Sequence, residues 1–229
     1  MCGRFALYSD PLSLARRFDA EEPDDLLPRY NVAPTQNIPI VRVEAGQRHF
    51  ASARWGLIPH WAKAMDTSYS TINARAETVA SKPAFRDAFR HRRALIPIDN
   101  FFEWQTLPGS KLKQPWAIAL QDREPMALAG LWEQWRNPLG GIIESCTIIV
   151  TDSNANEIMR PIHERIPVIL APEDWDAWLD PDAKDTGQLQ SLLVPYPAEG
   201  MTAWKVGTRV NNSRHESPDC IEPLEGQGG

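Results

Sequence analysis

Cysteine is scarce in this chain. Cys2, Cys146 and Cys220 are its only three, and no Cys-x-x-Cys pair exists, which argues against a disulfide framework or a structural zinc motif. Long apolar runs are missing too. None approaches the roughly 18 residues of a membrane-spanning helix, and the opening Met1-Cys2-Gly3-Arg4-Phe5-Ala6-Leu7-Tyr8 has no secretory core. A cytoplasmic location, nucleoid-associated when DNA is bound, with no membrane contact, is therefore expected. Positive charge is in deficit overall: the net charge is -6, which taken alone argues against a nucleic-acid partner. Internal repeats and low-complexity linkers are absent as well.

What is present describes a packed globule. Hydrophobic residues make up 42% of the chain, with nine Trp. At 229 residues one domain over 1–222, with a Gly-rich tail at 223–229, is the simplest division. The charge is uneven. Between Arg48 and Arg93 nine basic residues face three acidic ones, so an acidic body carries a local basic segment. That segment suits phosphate tracking and a solvated helix face equally well.

Short apolar or alternating stretches predict strands at 38–43, 49–55, 94–98, 101–105, 116–120, 126–132, 142–150 and 166–170. Pro108-Gly109 marks a hairpin-like connection between two of them. A helix is predicted from Pro11 to Phe18 with Asp10 as its cap, and others over 83–90, 154–159, 172–179 and 186–192. Twenty prolines favour short strands and fixed loops. The class is α+β with mostly antiparallel strands.

Cys2 is notable for its position. Methionine is normally trimmed before a small residue, and trimming would expose an α-amine beside the thiol. An amine with a reference pKa of about 7.7–8.0 is partly neutral at cellular pH, condenses with an aldehyde to an imine, and the thiol can then close a thiazolidine ring. Position alone favours an incidental cysteine. Cys146 reads as a small buried hydrophobe. Asn73, inside the basic segment, could orient a hydroxyl or simply form a turn. Glu103 stands between the aromatics Phe102 and Trp104, surroundings that raise a carboxyl pKa if it is buried and do nothing if it faces solvent. His163, at a loop rim, is a proton shuttle or a structural histidine. Trp61, near Lys63, offers a face for base stacking or belongs to the core.

Taken in order, several stretches resemble the SOS response-associated peptidase family, also called the abasic-site-processing or SRAP family. They are Met1-Cys2-Gly3-Arg4, Tyr30-Asn31-Val32-Ala33-Pro34-Thr35, Trp55-Gly56-Leu57-Ile58-Pro59 with Trp61, Ile72-Asn73-Ala74-Arg75-Ala76-Glu77-Thr78, Ile96-Pro97 through Phe102-Glu103-Trp104, Ala129-Gly130-Leu131-Trp132, 147–170 with Ile162-His163, and Val210-Asn211-Asn212. Ile98 and Asn100 depart from the small residues of the pattern, and His60 fills a variable slot.

The resemblance implies a barrel-like or two-sheet core with short flanking helices. It implies a monomer without cofactor or metal that binds single-stranded DNA, or its junction with duplex, and captures an abasic-site aldehyde on Cys2 as a thiazolidine. Asn73 would position the amine and the sugar, while Glu103 and His163 would move protons. Arg4, Trp61, Arg75, Lys82 and Thr151 would touch DNA, with Asn31 and Pro34 near Cys2. Lyase and self-cleaving activities would be side reactions. Two other readings compete: a cysteine hydrolase built on Cys2, His163 and Asn73, and a non-covalent single-strand binder built on Trp61 and Arg75.

Overall fold

A computed structural model describes residues 2–65, 71–110, 112–138, 140–183 and 185–224. Thirteen strands are described: β1 (Phe5–Leu7), β2 (Arg29–Val32), β3 (Asn37–Glu44), β4 (Gln47–Trp55), β5 (Asn73–Arg75), β6 (Arg93–Ile98), β7 (Asn100–Thr106), β8 (Lys113–Leu120), β9 (Met126–Arg136), β10 (Ile142–Asp152), β11 (Arg165–Pro167), β12 (Ile169–Leu170) and β13 (Met201–Lys205). The α-helices α1 (Pro11–Phe18), α2 (Arg86–His91), α3 (Trp175–Leu179) and α4 (Thr186–Ser191) are short.

The strands β4, β3, β6, β9 and β10 form a closed ring, because β10 pairs with both β9 and β4. Closure removes the free edges of this sheet. All six residues of β6 are buried, as a strand covered on both faces requires. Gly130 on β9 is needed where it stands: a Cβ there would lie 2.8 Å from the Ile96 side chain and 3.3 Å from the Ala94 carbonyl. A second sheet, ordered β13-β8-β7-β1-β2, is antiparallel throughout. The α+β class with mostly antiparallel strands is as expected, and where the resemblance implied a barrel-like or two-sheet core the chain has both a barrel and a second sheet.

The cap of α1 is as expected: Asp10 accepts from the Ser13 backbone at 2.9 Å and Pro11 opens the first turn. Elsewhere local patterns misled. The helix expected over 154–159 is a run of turns. Its Asn156 side chain accepts from the Met159 N–H at 2.8 Å and donates to the Tyr196 carbonyl at 2.8 Å, so it competes with helix continuation. The helix expected from Pro83 begins only at Arg86, and the segment 172–179 starts as a 3-10 turn. Strands β1, β2, β5 and β13 are too short or too polar to show alternation. Pro223 and Leu224, expected in the tail, pair with Val206 and Lys205, whereas 225–229 lie outside the described residues.

The basic segment is divided by the fold. Arg93 is buried and donates to the carbonyls of Trp178, Phe89, Arg90 and Asp180, closing the ends of α2 and α3. Arg48 and Arg92 are committed to Asp176 and Glu133. Only part of the local positive charge therefore remains for a ligand. Replacing Arg93 with Ala orphans four carbonyls and should cost about 3 kcal/mol or more, read as a lowered urea midpoint.

Candidate active site

The first strand carries the N-terminus into the second sheet. Phe5 lies opposite Phe101, and the Phe102 N–H donates to the Arg4 carbonyl at 2.9 Å. Continuing that antiparallel register brings the residues before Arg4 alongside Glu103. Cys2 is fully buried there. Burial pushes its thiol pKa well up, and the nearby Glu103 charge pushes in the same direction, while a hydrogen bond from the Arg4 backbone draws it back.

Glu103 does not face solvent; it is 2% exposed. Both faces of β7 are covered, so the alternation that separates it from Phe102 and Trp104 leads it into the protein. Burial raises its carboxyl from 4.5 to about 7. His163 stands on the loop before β11, half-buried, with Nε2 3.8 Å from Glu103 Oε2. The Arg165 N–H donates to His163 Nδ1 at 3.0 Å, so the neutral ring carries its proton on Nε2, facing the carboxyl. Burial also lowers the His163 pKa, favouring that neutral ring. Arg165, which sets the tautomer, went unnoticed in the sequence because its contribution is a backbone N–H. Gln105 Nε2 donates to the Pro161 carbonyl at 3.0 Å, tying the His163 loop to β7.

The barrel supplies a second group. Strand β5 runs parallel to β10, with Asn73 beside Ile148 and Arg75 beside Val150, so Asn73 and Arg75 share a face. Thr151, 5% exposed, follows on β10 and pairs with Ile166 of β11, the strand entered from His163. Asn73 is 9% exposed, and neither its amide nitrogen nor its oxygen has a hydrogen-bond partner among the described residues. Unspent buried amides are rare and costly. This one has donor and acceptor capacity to offer a ligand.

The remaining sequence candidates fall into two places. Trp61, 57% exposed, and Lys82 line one cleft of about 610 Å³, largely apolar, floored by Leu57, Pro59 and Phe85. Arg4 and Asn31 are engaged internally. Arg4 Nη1 donates to Asn31 Oδ1 at 2.8 Å and to the Val210 carbonyl at 2.8 Å, and the Asn31 amide donates to the carbonyls of Asn212 and His215. This pair clips the C-terminal segment onto β2. Pro34 is half-buried just after it. Among the described residues one group has metal-ligand chemistry, His215, Asp219 and Cys220. Its members are already joined: Asp219 accepts from Arg209 and is hydrogen-bonded to His215, and the Cys220 thiol donates to the His215 carbonyl.

The fold is thus a closed barrel beside an antiparallel sheet, with the buried Cys2 just before β1 and Glu103 of β7, its carboxyl pKa raised by burial, facing His163. The chain belongs to the SOS response associated peptidase (SRAP) family, whose model matches residues 1–213. It is 43% identical over 225 residues to "Abasic site processing protein YoqW" of Bacillus subtilis, covering 97% of this chain and 99% of that one. It is 29% identical to "Abasic site processing protein HMCES" of Pongo abelii, covering 97% of this chain and 72% of the other. Among solved structures, a protein from Bacteroides thetaiotaomicron aligns with a TM-score of 0.86 at 26% identity, covering 97% of this chain and all of its own.

The Glu103 environment has a stability signature. The folded chain keeps the proton up to about 7, whereas an ordinary carboxyl releases it near 4.5. The native state binds more protons in that window, so stability falls as pH rises from 4.5 to 7 and stays level above it. Glu103→Gln is neutral at every pH and removes the loss. Its Tm should exceed that of the wild type by about 3 °C or more at pH 8 and match it near pH 4.5.

Proposed function

We propose that this protein processes abasic sites by covalent capture: Cys2, once Met1 has been removed, forms a thiazolidine with the aldehyde of an abasic site in single-stranded DNA. The observation that carries this reading is the Cys2–Glu103–His163 grouping: a buried cysteine, a carboxyl raised to about 7 and an imidazole held toward neutrality by burial. The names of the relatives YoqW and HMCES support the same substrate.

The chemistry balances without a cofactor. The α-amine adds to C1′ of the ring-opened sugar to give a carbinolamine. Glu103, part-protonated near pH 7, donates a proton to the leaving hydroxyl, and water departs as the imine forms. The Cys2 thiol then adds across the C=N bond; its proton passes through the Glu103 carboxylate to nitrogen, and the five-membered ring closes. His163 Nε2–H, directed at Glu103, steadies the carboxylate between these steps. Asn73 offers its unspent amide to the amine and a sugar hydroxyl. A buried thiol of raised pKa is a weak free nucleophile, which suits a mechanism in which the amine attacks first.

Recognition of the strand falls to the Trp61 and Lys82 cleft, to Arg75 and to Thr151, a stacking face with flanking cations. Arg4 acts from a fixed position beside Trp104, its guanidinium carbon 5.8 Å from the ring centre. A junction with duplex would engage the same surface. β-Elimination from the imine would account for a lyase side activity. The hydrolase alternative uses the same Cys2 and His163, but a raised thiol pKa and a His163 ring directed at Glu103 favour amine capture over a thiolate–imidazole pair.

Incubation with an abasic single-stranded oligonucleotide should give a heat-stable adduct that Cys2→Ala abolishes. The same durable adduct from Cys2→Ala would refute the mechanism. Cys2→Ser should retain imine formation, trapped by borohydride, while losing most of the heat-stable product. Glu103→Gln should slow capture by about 100-fold or more, measured as the single-turnover rate, and should flatten the pH dependence near 7.

A further inference from the structure

The segment 56–62 leaves the end of β4 and carries Trp61 without strand pairing of its own. Three side chains of the barrel wall grip it. Ser145 Oγ accepts from the Ile58 N–H at 2.8 Å. Glu133 Oε2 lies 3.1 Å from His60 Nδ1. Trp135 Nε1 donates to the Ala62 carbonyl at 2.7 Å. The three belong to one patch: Glu133 and Trp135 alternate on the same face of β9, and Ser145 of β10 lies directly opposite Glu133.

The patch is costly to maintain. Glu133 is 4% and Trp135 3% exposed, and Glu133 also accepts from Arg92 at 2.8 Å and from the Gln134 N–H at 3.1 Å. Buried polar groups of this kind must be satisfied, and here they are satisfied on residues 58, 60 and 62, on both sides of Trp61. The ring of Trp61 is left outward while its backbone neighbours are fixed.

We infer that Glu133, Trp135 and Ser145 are positioning residues for DNA recognition, holding the 56–62 loop so that Trp61 stands as a pre-formed stacking platform for a base of the single strand. This rests on the single-strand reading of the preceding section. A platform already ordered in the free protein avoids the ordering cost of a mobile loop on binding.

The test uses equilibrium binding of a fluorescein-labelled intact single strand of about 15 nucleotides, without an abasic site, so that no covalent step contributes. Trp135→Phe deletes the donor to Ala62, and Ser145→Ala deletes the acceptor for Ile58. Each should raise Kd about three- to tenfold while circular dichroism shows a folded protein. The discriminating readout is the double-mutant cycle with Trp61→Ala: Trp61→Ala/Trp135→Phe should bind no more weakly than Trp61→Ala alone, an outcome that general destabilisation does not produce. Additive losses, or an unchanged Kd in both Trp135→Phe and Ser145→Ala, overturn the inference. An unchanged Kd in Trp61→Ala overturns it as well, and locates the failure in the platform itself, leaving covalent capture at Cys2 to be judged on its own assay.

Discussion

The pairing of β1 with β7 is the constraint on which the site depends. Phe5 and Ala6 are held against the strand that carries Glu103, and this register brings the second residue toward a carboxyl more than a hundred positions away. Chain termini ordinarily fray. Here the terminus is locked by Phe5 and Leu7, both buried in the main core, and by the Arg4–Asn31 clip that also recruits the C-terminal segment. A side chain near the chain end is thereby as well placed as one in the middle of a strand.

Burial sets the protonation of the groups around Cys2. It lifts Glu103 toward neutrality, lowers His163 and holds the Cys2 thiol in its protonated form. In a water-filled cleft Glu103 would be an ionised carboxylate, with little capacity to donate a proton near pH 7. On the barrel wall the pairing of β9 with β10 aligns Ser145 with Glu133, and these two with Trp135 hold the loop that carries Trp61. Under the proposed function one frame thus serves a reacting centre and a recognition loop.

Much of this frame was legible along the chain. The eight predicted strands each correspond to strand in the fold, and the Asp10 cap and the Pro108-Gly109 connection lie where turn chemistry places them, because these features depend on neighbours a few residues apart. Strands β1, β2, β5 and β13 were not legible. They are stabilised by partners remote in sequence and carry too few residues to alternate visibly. The failed helix over 154–159 has a similar origin, since the Tyr196 carbonyl that holds the Asn156 side chain is invisible locally. Charge patterning misled in part for the same reason: Arg93 counts as a surface cation in a sum over the chain and is a buried cap for two helices in the fold.

The sequence by itself determined the family, through ordered motifs that run from Cys2 to Asn212, and with it the identities of the residues to watch. Under the proposed function, removal of Met1 lets Cys2 present an amine and a thiol together, which is a matter of covalent structure. Only the tertiary structure decided that Glu103 is buried, that His163 faces it with the proton on Nε2, that the Asn73 amide has no hydrogen-bond partner among the described residues and that Asn31 and Arg4 hold each other. The physical reason is that pKa, tautomer and hydrogen-bond satisfaction are properties of what surrounds a group in space. In this chain those surroundings come from strands and loops that are distant in sequence and meet only when the barrel closes and the N-terminal strand docks beside β7.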